Sequence, residues 1–278
     1  MEFASAPLIR PATSDDLEAI VALTRARRRQ LAVWEPWYWN PREGIDEMHP
    51  MFLGWCIEHN PNCDVTVAIE NGVVVGCIFA QHRPDHTFLD DFCVIDERWP
   101  DIGSPLIEAS KGGNQLICAP TKDQRKHDWL ESSPFTWAST FLSLRTPEAP
   151  PSQASREFLP LPESLERPPA HVFGVFDANT ENGLRVSTAD CYAIGSAPAL
   201  PPTYDPGGPT TVIDRICGVN RRAVLEVALQ EAARRGDVQV IVVADRTDLE
   251  LIQIVNDLGA TQPVNLWRNA GASAQEQS

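Results

Sequence analysis

The feature that most limits how this chain can fold is that it carries two versions of one pattern. Asp90 and Cys93 recur as Asp214 and Cys217, and Gln115 of QLICA recurs as Gln239 of QVIVVA. The spacing from Asp90 to Gln115 and from Asp214 to Gln239 is 25 residues in both versions. Arg145, closing FLSLR, corresponds within one residue to Arg268, closing VNLWR. Strand, helix, strand, helix and strand follow in the same order over about sixty positions, so each half is expected to build a similar unit of sheet and helix. The second version lacks the opening helices of the first and is a partial copy.

Local signals supply the elements. Leu8-Ile9-Arg10 predicts a strand. Thr13 to Asp16 offer capping oxygens and negative charge to a helix whose positions Leu17, Ile20, Val21 and Thr24 follow at helical spacing. AVWEPWYWNP breaks that helix at its prolines, and a second helix is expected around Met48 to Glu58. DVTVAIE and VVVGCIFAQ flank Asn71-Gly72, a strong hairpin signal. Strands are expected at Phe88–Ile95, Gln115–Ala119 and Phe135–Leu144, with helices after Ile95 and over Asp123–Ser132.

The second half reads as strand, turn and strand from Gly183 to Ala197, then a turn at Tyr204–Thr210 and a strand at Thr210–Gly218. Arg221–Arg235 is amphipathic, Val238–Ala244 is a buried strand, LELIQIVNDLG is a helix ended by Gly259, and PVNLWR is the last strand. The fold class is therefore α/β, with a mixed, mainly antiparallel central sheet flanked by helices, duplicated. From Pro147 to Pro169 seven of 23 residues are proline, which makes this stretch a linker. The expected domains are 7–146 and 170–269, joined by the 147–169 linker and followed by a disordered polar tail at 270–278.

Composition narrows the class of function. A net charge of −15 argues against a nucleic-acid partner, which needs basic surface. No apolar run approaches the roughly 20 residues that cross a bilayer, and MEFASAPLIRPATSDD has no apolar signal core, so neither membrane nor secretion is expected. Seven cysteines form no C-x-x-C pair and sit mostly in apolar segments, as buried thiols of a cytoplasmic protein would. His82 and His86 are split by Pro84 and lack further ligands at suitable spacing, so no metal is expected.

On these residues the first half resembles the GNAT superfamily of acyl-CoA N-acyltransferases. IRPATSDDLEAIVAL, VAIENGVVVGCIFAQ and FLDDFCVIDERWPDIGSPLIEAS are similar to that family's first strand and helix, its second and third strands, and its cofactor unit. The resemblance covers about Pro7 to Arg145, with a fainter version over Gly183 to Arg268. It implies transfer of an acetyl or other acyl group from acetyl-CoA, or another acyl-CoA, to an amine on a small molecule or peptide. It implies a fourth strand that splays from its neighbour, so that Phe92, Cys93, Val94 and Ile95 pair with the pantetheine arm as if with an added strand. It also implies a pyrophosphate loop at a helix N-terminus formed by Arg98, Trp99, Asp101, Ile102, Gly103 and Ser104.

The family pattern R/Q-x-x-G-x-G/A departs here at Asp101, which stands where the first glycine is expected and either caps the helix or leaves room for phosphate by pointing outward. In the second half a helix opens with Arg221 and Arg222 soon after Gly218 and absorbs the loop. That half is expected to be structural, completing the fold as an internal dimer partner would, in a monomer of pseudo-dimeric halves or in a homodimer.

Amine acylation needs a base for the ammonium, stabilisation of the carbonyl oxygen and an acid for the leaving thiolate. The tyrosine that serves as acid in many family members would fall at Leu130, and in the second copy at Val255; both lack it. His127 nearby is the candidate acid. Asp91 and Asp90 are the candidate bases, and strand alternation lets only one of them face the acyl group. Asp91 is matched by Arg215 and is the more distinctive, whereas Asp90 recurs as Asp214. Cys93 recurs as Cys217 and reads as packing. Trp37, Tyr38 and Trp39 fall where the family builds its acceptor pocket, or serve packing instead. The favoured function is acyl-CoA-dependent N-acyl transfer. The alternatives are a protein that binds acyl-CoA or another ligand without transfer, or one turned to other chemistry.

Overall fold

The computed structural model describes residues 6–110, 113–148, 178–188, 190–198, 204–205 and 207–269. Two compact units result: unit 1 is Met1–Pro36, Pro41–Trp137 and Leu266–Ser278, and unit 2 is Trp37–Asn40 and Ala138–Asn265.

In unit 1, β1 (Leu8–Pro11) leads through a short 3-10 turn into α1 (Leu17–Trp34). Asp16 holds this entry together: its carboxylate accepts from the Thr13 backbone N–H at 2.8 Å and from the Arg10 guanidinium at 2.7 and 2.9 Å. After α2 (Ile45–His59), β2 (Cys63–Glu70) and β3 (Val73–His82) form the hairpin expected at Asn71-Gly72. The two turn residues have φ of 50° and 79°, the paired positive values a two-residue hairpin turn demands. Then come β4 (Thr87–Val94), α3 (Ser104–Ala109), β5 (Gln115–Pro120) and α4 (Gln124–Glu131).

Strand order in unit 1 is β1-β2-β3-β4-β5, antiparallel except for the parallel pair β4–β5. One side of this sheet buries Ile20, Val21, Leu53 and Cys56 of α1 and α2 against Val67, Cys77, Phe79 and Cys93. The other buries Trp99, Ile102, Leu106, Trp129 and Leu130 against Ile78, Leu89, Phe92 and Ile117.

Unit 2 is built on most of β6 (Thr136–Arg145), with β7 (Ala178–Ser187), β8 (Cys191–Pro198), β9 (Thr210–Gly218), α5 (Arg221–Arg234), β10 (Gln239–Asp245) and α6 (Leu249–Asp257). Its strand order is β6-β10-β9-β8-β7, with β9–β10 parallel. α5 buries the stripe Val224, Leu225, Ala228 and Ala232, and α6 buries Leu251 and Val255, in one core with Ile213, Val240 and Val242.

The units part from the halves of the sequence at their last strands. β6 opens in unit 1 but from Ala138 belongs to unit 2, where Ser139–Arg145 pair with β10. β11 (Thr261–Asn269) does the reverse and from Leu266 belongs to unit 1, where it lies beside β5 and Trp267 joins the core of Trp129 and Leu130. A repeat makes this exchange possible, because two similar sheet edges accept two similar closing strands in either pairing.

The linker expected at 147–169 lies outside the described residues from position 149, as does the tail from 270. The seven cysteines are free. Among the described residues, no helix is long and apolar enough to cross a membrane.

Candidate functional site

The site of interest begins with one extra residue in β4. Pairing with β3 steps from Cys77↔Cys93 to Phe79↔Asp90, so that Asp91 and Phe92 together oppose Ile78, and Asp91 has φ of 40°. This is a β-bulge. Its effect on side-chain direction is plain: Leu89 and Phe92, three apart, share the core under α3 and α4, and Asp90 and Asp91 between them are left to the other face. Simple alternation would have let only one carboxylate face that way; the bulge permits both. Unit 2 repeats the device, stepping from Ile194↔Arg215 to Gly195↔Ile213 and leaving Asp214 as the extra residue.

The bulge also ends the parallel pairing. Thr87–Leu89 pair with Gln115–Ile117, and beyond them β4 and β5 diverge. Among the described residues, the edge of β4 from Asp90 onward has no partner strand on that side. The two strands thus leave a wedge between them.

Lys126 lies in this wedge. Asp123 caps the first turn of α4 by accepting from the Lys126 backbone N–H at 3.1 Å, and the side chain then reaches inward. Its Nζ donates to the Cys118 carbonyl at 3.1 Å and stands 5.3 Å from the Phe92 ring centre and 4.8 Å from that of Trp99. Burial first, then the charge of Arg27, bring the ammonium down to about 8 against the pull of Asp123.

Asp90 stands at the head of the wedge. Solvent reaches its side chain, and the protein around it still withholds part of the carboxylate's hydration. That desolvation, with Asp91 beside it, pushes its carboxyl up to about 6, while His49 and Lys126 pull the other way.

Asp91 is engaged differently. Its Oδ2 lies 2.7 Å from His49 Nε2, and Arg28 Nη1 lies 3.2 Å from His49 Nδ1. Arginine can only donate, so Nδ1 must accept, and the ring proton sits on Nε2 and is given to Asp91. Asp46, 3.4 Å from Arg28 Nη2, completes the chain. The Asp91 backbone N–H in turn donates to Asp90 Oδ1 at 2.9 Å.

The loop after β4 is tighter than an open phosphate cradle. Asp96 and Glu97 have φ of 49° and 53°, and Trp99–Gly103 form one π-helical turn. Pro100 has no N–H, that of Ile102 goes to the Arg98 carbonyl at 3.0 Å, and that of Ser104 to the Trp99 carbonyl. Arg98 grips Glu70 through two 2.9 Å bonds, and Asp101 is two-thirds exposed, 3.8 Å from Arg98. Asp101 therefore points outward.

Trp99, Ile102 and Gly103 are buried. A Cβ at Gly103 would lie 3.3 Å from both Trp99 and Trp129, whose rings stack at 5.5 Å with Phe92 edge-on. Glycine is needed there for aromatic packing. Ser104 accepts from the Trp129 indole N–H at 2.9 Å. Phe92 and Cys93 turn their side chains into the two cores, while Val94 and Ile95 are half-buried. Arg125, 3.2 Å from Glu97, flanks the loop on the surface, and Arg27 pairs with Asp123 behind it.

His127 faces elsewhere than its neighbour Lys126: its Nε2 lies 3.1 Å from the Pro120 carbonyl and its ring 5.6 Å from Trp267. Trp37, Tyr38 and Trp39 belong to unit 2, where Arg145 covers Trp37 at 4.1 Å and Trp39 meets Tyr204 at 4.9 Å and Tyr38 at 4.7 Å. The three rings thus serve the packing of unit 2. His82 bridges Asp64 and Thr87 at 2.8 and 3.2 Å, and His86 bonds Asp85. Sequence reasoning passed over Lys126 and His49. For Lys126 a signal was present: it lies one helical turn before Leu130 and so shares the face where the missing tyrosine would be.

No family model and no curated protein sequence matches the chain. Among solved structures, it is similar to a GCN5-related N-acetyltransferase from Sphaerobacter thermophilus at 12% identity, covering 95% of both chains with a TM-score of 0.54. A putative acetyltransferase from Pyrococcus horikoshii shares 13% identity over 96% of this chain and 90% of its own, TM-score 0.47. A tandem GNAT protein from the clavulanic acid biosynthesis pathway shares 12% over 94% and 98%, TM-score 0.43. The first of these, spanning nearly the whole chain, shows the fold: a GNAT-like mixed sheet flanked by helices.

Proposed function

We propose that unit 1 is an acyl-CoA-dependent N-acyltransferase with Asp90 as its general base. One observation carries this reading: the bulge in β4 opens a wedge against β5 and sets a carboxyl of raised proton affinity at its head.

The residues present suit an acyl-CoA. The unpartnered edge of β4 at Phe92–Val94 can take an amide-bearing arm as strand addition does. Arg98 and Arg125 would hold the diphosphate beside the Trp99–Gly103 turn; Arg125 is exposed and its pair with Glu97 exchanges at little cost, whereas Arg98 would have to share its guanidinium with Glu70. Asp101 does not oppose this, since it faces solvent and Arg98. Bound there, acyl-CoA supplies an activated acyl group.

Asp90, ionised above about pH 6, takes a proton from the incoming ammonium. Asp91 is spent on His49 and positions Asp90 through its backbone N–H. The acceptor is read as an amine of a small molecule or peptide. Unit 2 is read as structural, because α5 follows β9 within three residues and leaves no loop for a diphosphate.

Calorimetry with acetyl-CoA tests the reading. Wild-type binding that weakens about tenfold or more in Arg125→Glu, an exposed change, supports it. No binding up to about millimolar concentration would sink it. A bulky residue at Gly103 is a poor probe, because it would break the aromatic cluster whether or not a ligand binds.

A further inference from the structure

We infer that Lys126 is the general acid of this transfer, giving its proton to the thiolate that leaves. The inference rests on the transferase reading of unit 1. Its basis is position: the Lys126 ammonium lies between the two strands where they no longer pair, bonded to the first β5 carbonyl beyond the last paired residue and facing Phe92, the bulge residue after Asp91. That is the space a thioester must occupy if its arm pairs with β4.

The repeat strengthens the case. With Leu130 matched to Val255, Lys126 is matched to Leu251, which is buried in the unit 2 core. The same fold therefore accepts an apolar side chain at this place, and an ammonium buried in unit 1 is no requirement of packing. A buried ammonium costs stability that the apolar Leu251 does not.

The other charged or titratable groups facing Lys126 are poor donors. Cys118 on β5 is pushed up to about 12 by burial, Arg27 from α1 never gives up its proton, and Asp123 is bound to Arg27. Cys93 on β4 is buried, and Asp90 is needed as base. Lys126, near 8, is matched to a thiol of about 8.5, the condition for efficient transfer.

The step balances. Asp90 takes one proton from the ammonium and gives it to water; the neutral amine nitrogen then forms a bond to the acyl carbon, the carbon–sulfur bond breaks with its electron pair going to sulfur, the second proton on nitrogen passes to Asp90, and the Lys126 proton passes to sulfur. Water then restores both groups.

The experiment uses the full chain with acetyl-CoA and benzylamine as acceptor, following CoA release by mass spectrometry. Lys126→Met is expected to keep acetyl-CoA affinity and lose about 100-fold in turnover, and the wild-type fall in kcat above about pH 8 is expected to vanish. Phenyl thioacetate, whose thiol leaves without a proton, is expected to react at the wild-type rate in Lys126→Met. Lys126→Arg, which keeps the charge but cannot release it, should behave as Lys126→Met does. Wild-type turnover with an unchanged alkaline limb in Lys126→Met overturns the acid role alone. So does an equal loss with both donors, which marks a merely structural lysine. A wild-type protein that neither binds acetyl-CoA nor releases CoA to benzylamine or water overturns the transferase reading and this role with it.

Discussion

His49 Nε2 lies 2.7 Å from Asp91 Oδ2, and Arg28 on the opposite ring nitrogen fixes His49 as the donor. Of two adjacent carboxylates, one is thus committed to the scaffold before any substrate arrives. An asparagine at position 91 can still accept that proton, so Asp91→Asn should cost less than about 1 kcal/mol and reduce turnover less than about tenfold. Asp90→Asn should reduce turnover about 100-fold or more. Steady-state kinetics on the two variants decides, and the reverse ranking would make Asp91 the base.

The acid limb of activity should follow Asp90. A base must be ionised, so kcat/KM is expected to rise with pH through about 6. Because Asp91 adds to that elevation, Asp91→Asn should move the limb to lower pH. A limb that stays put in Asp91→Asn would detach it from this pair.

The repeat mate Asp214 offers a contrast without catalysis. Burial pushes its carboxyl up to about 6, and among the described residues its Oδ1 has no partner. The folded state holds this proton more tightly than the unfolded chain, so stability falls as pH climbs from about 4 to about 6 and stays lowered above. Asp214→Asn should therefore stabilise the fold at pH 7.5 by on the order of 1 kcal/mol, seen as a raised Tm, leave Tm unchanged near pH 4, and leave turnover alone.

Asp16 should show the opposite sign. Its bonds to Arg10, and then to Thr13, hold it down at about 2, so its stabilisation is full above about pH 4 and is lost as pH falls from there toward 2. Asp16→Asn should cost about 1–2 kcal/mol at pH 7, allowing for a partly exposed Arg10, and nothing at the acid end. Thermal melts across pH check both residues together.

Gly76 is needed for space. A Cβ there would stand 2.6 Å from Ile102 Cγ2, 3.1 Å from Leu106 Cδ1 and 3.3 Å from the Cys93 carbonyl. Gly76→Ala should destabilise by about 1–3 kcal/mol. Adding Ile102→Ala should return part of that loss, although Ile102→Ala alone destabilises, and a double-mutant cycle by chemical denaturation measures the coupling.

What the sequence made legible was what local chemistry specifies. Asn71-Gly72 demanded a turn of positive φ, Thr13 and Asp16 a helix start, and the repeat from Asp90 to Gln115 a second unit. The bulge was not legible, because it places Asp91, rather than a glycine, at positive φ and carries no composition signal. Nor did the pattern in Arg98–Ser104 disclose that Ile102 and Gly103 answer to Gly76, Trp99 and Trp129. Trp37 to Trp39, expected near the acceptor, pack in unit 2 instead, because spacing along the chain does not say which unit a connecting segment joins.

The exchange of closing strands gives the molecule an order of manufacture. Unit 1 is encoded first, but Trp267, which backs His127 and the core behind α4, is synthesised after every other strand and helix of unit 2. Folding during translation ordinarily favours the leading domain. Here the leading domain must wait, and a ribosome that stops anywhere before β11 releases a chain whose unit 1 core lacks Trp267. Completion of synthesis thereby becomes a condition of a complete unit 1 core.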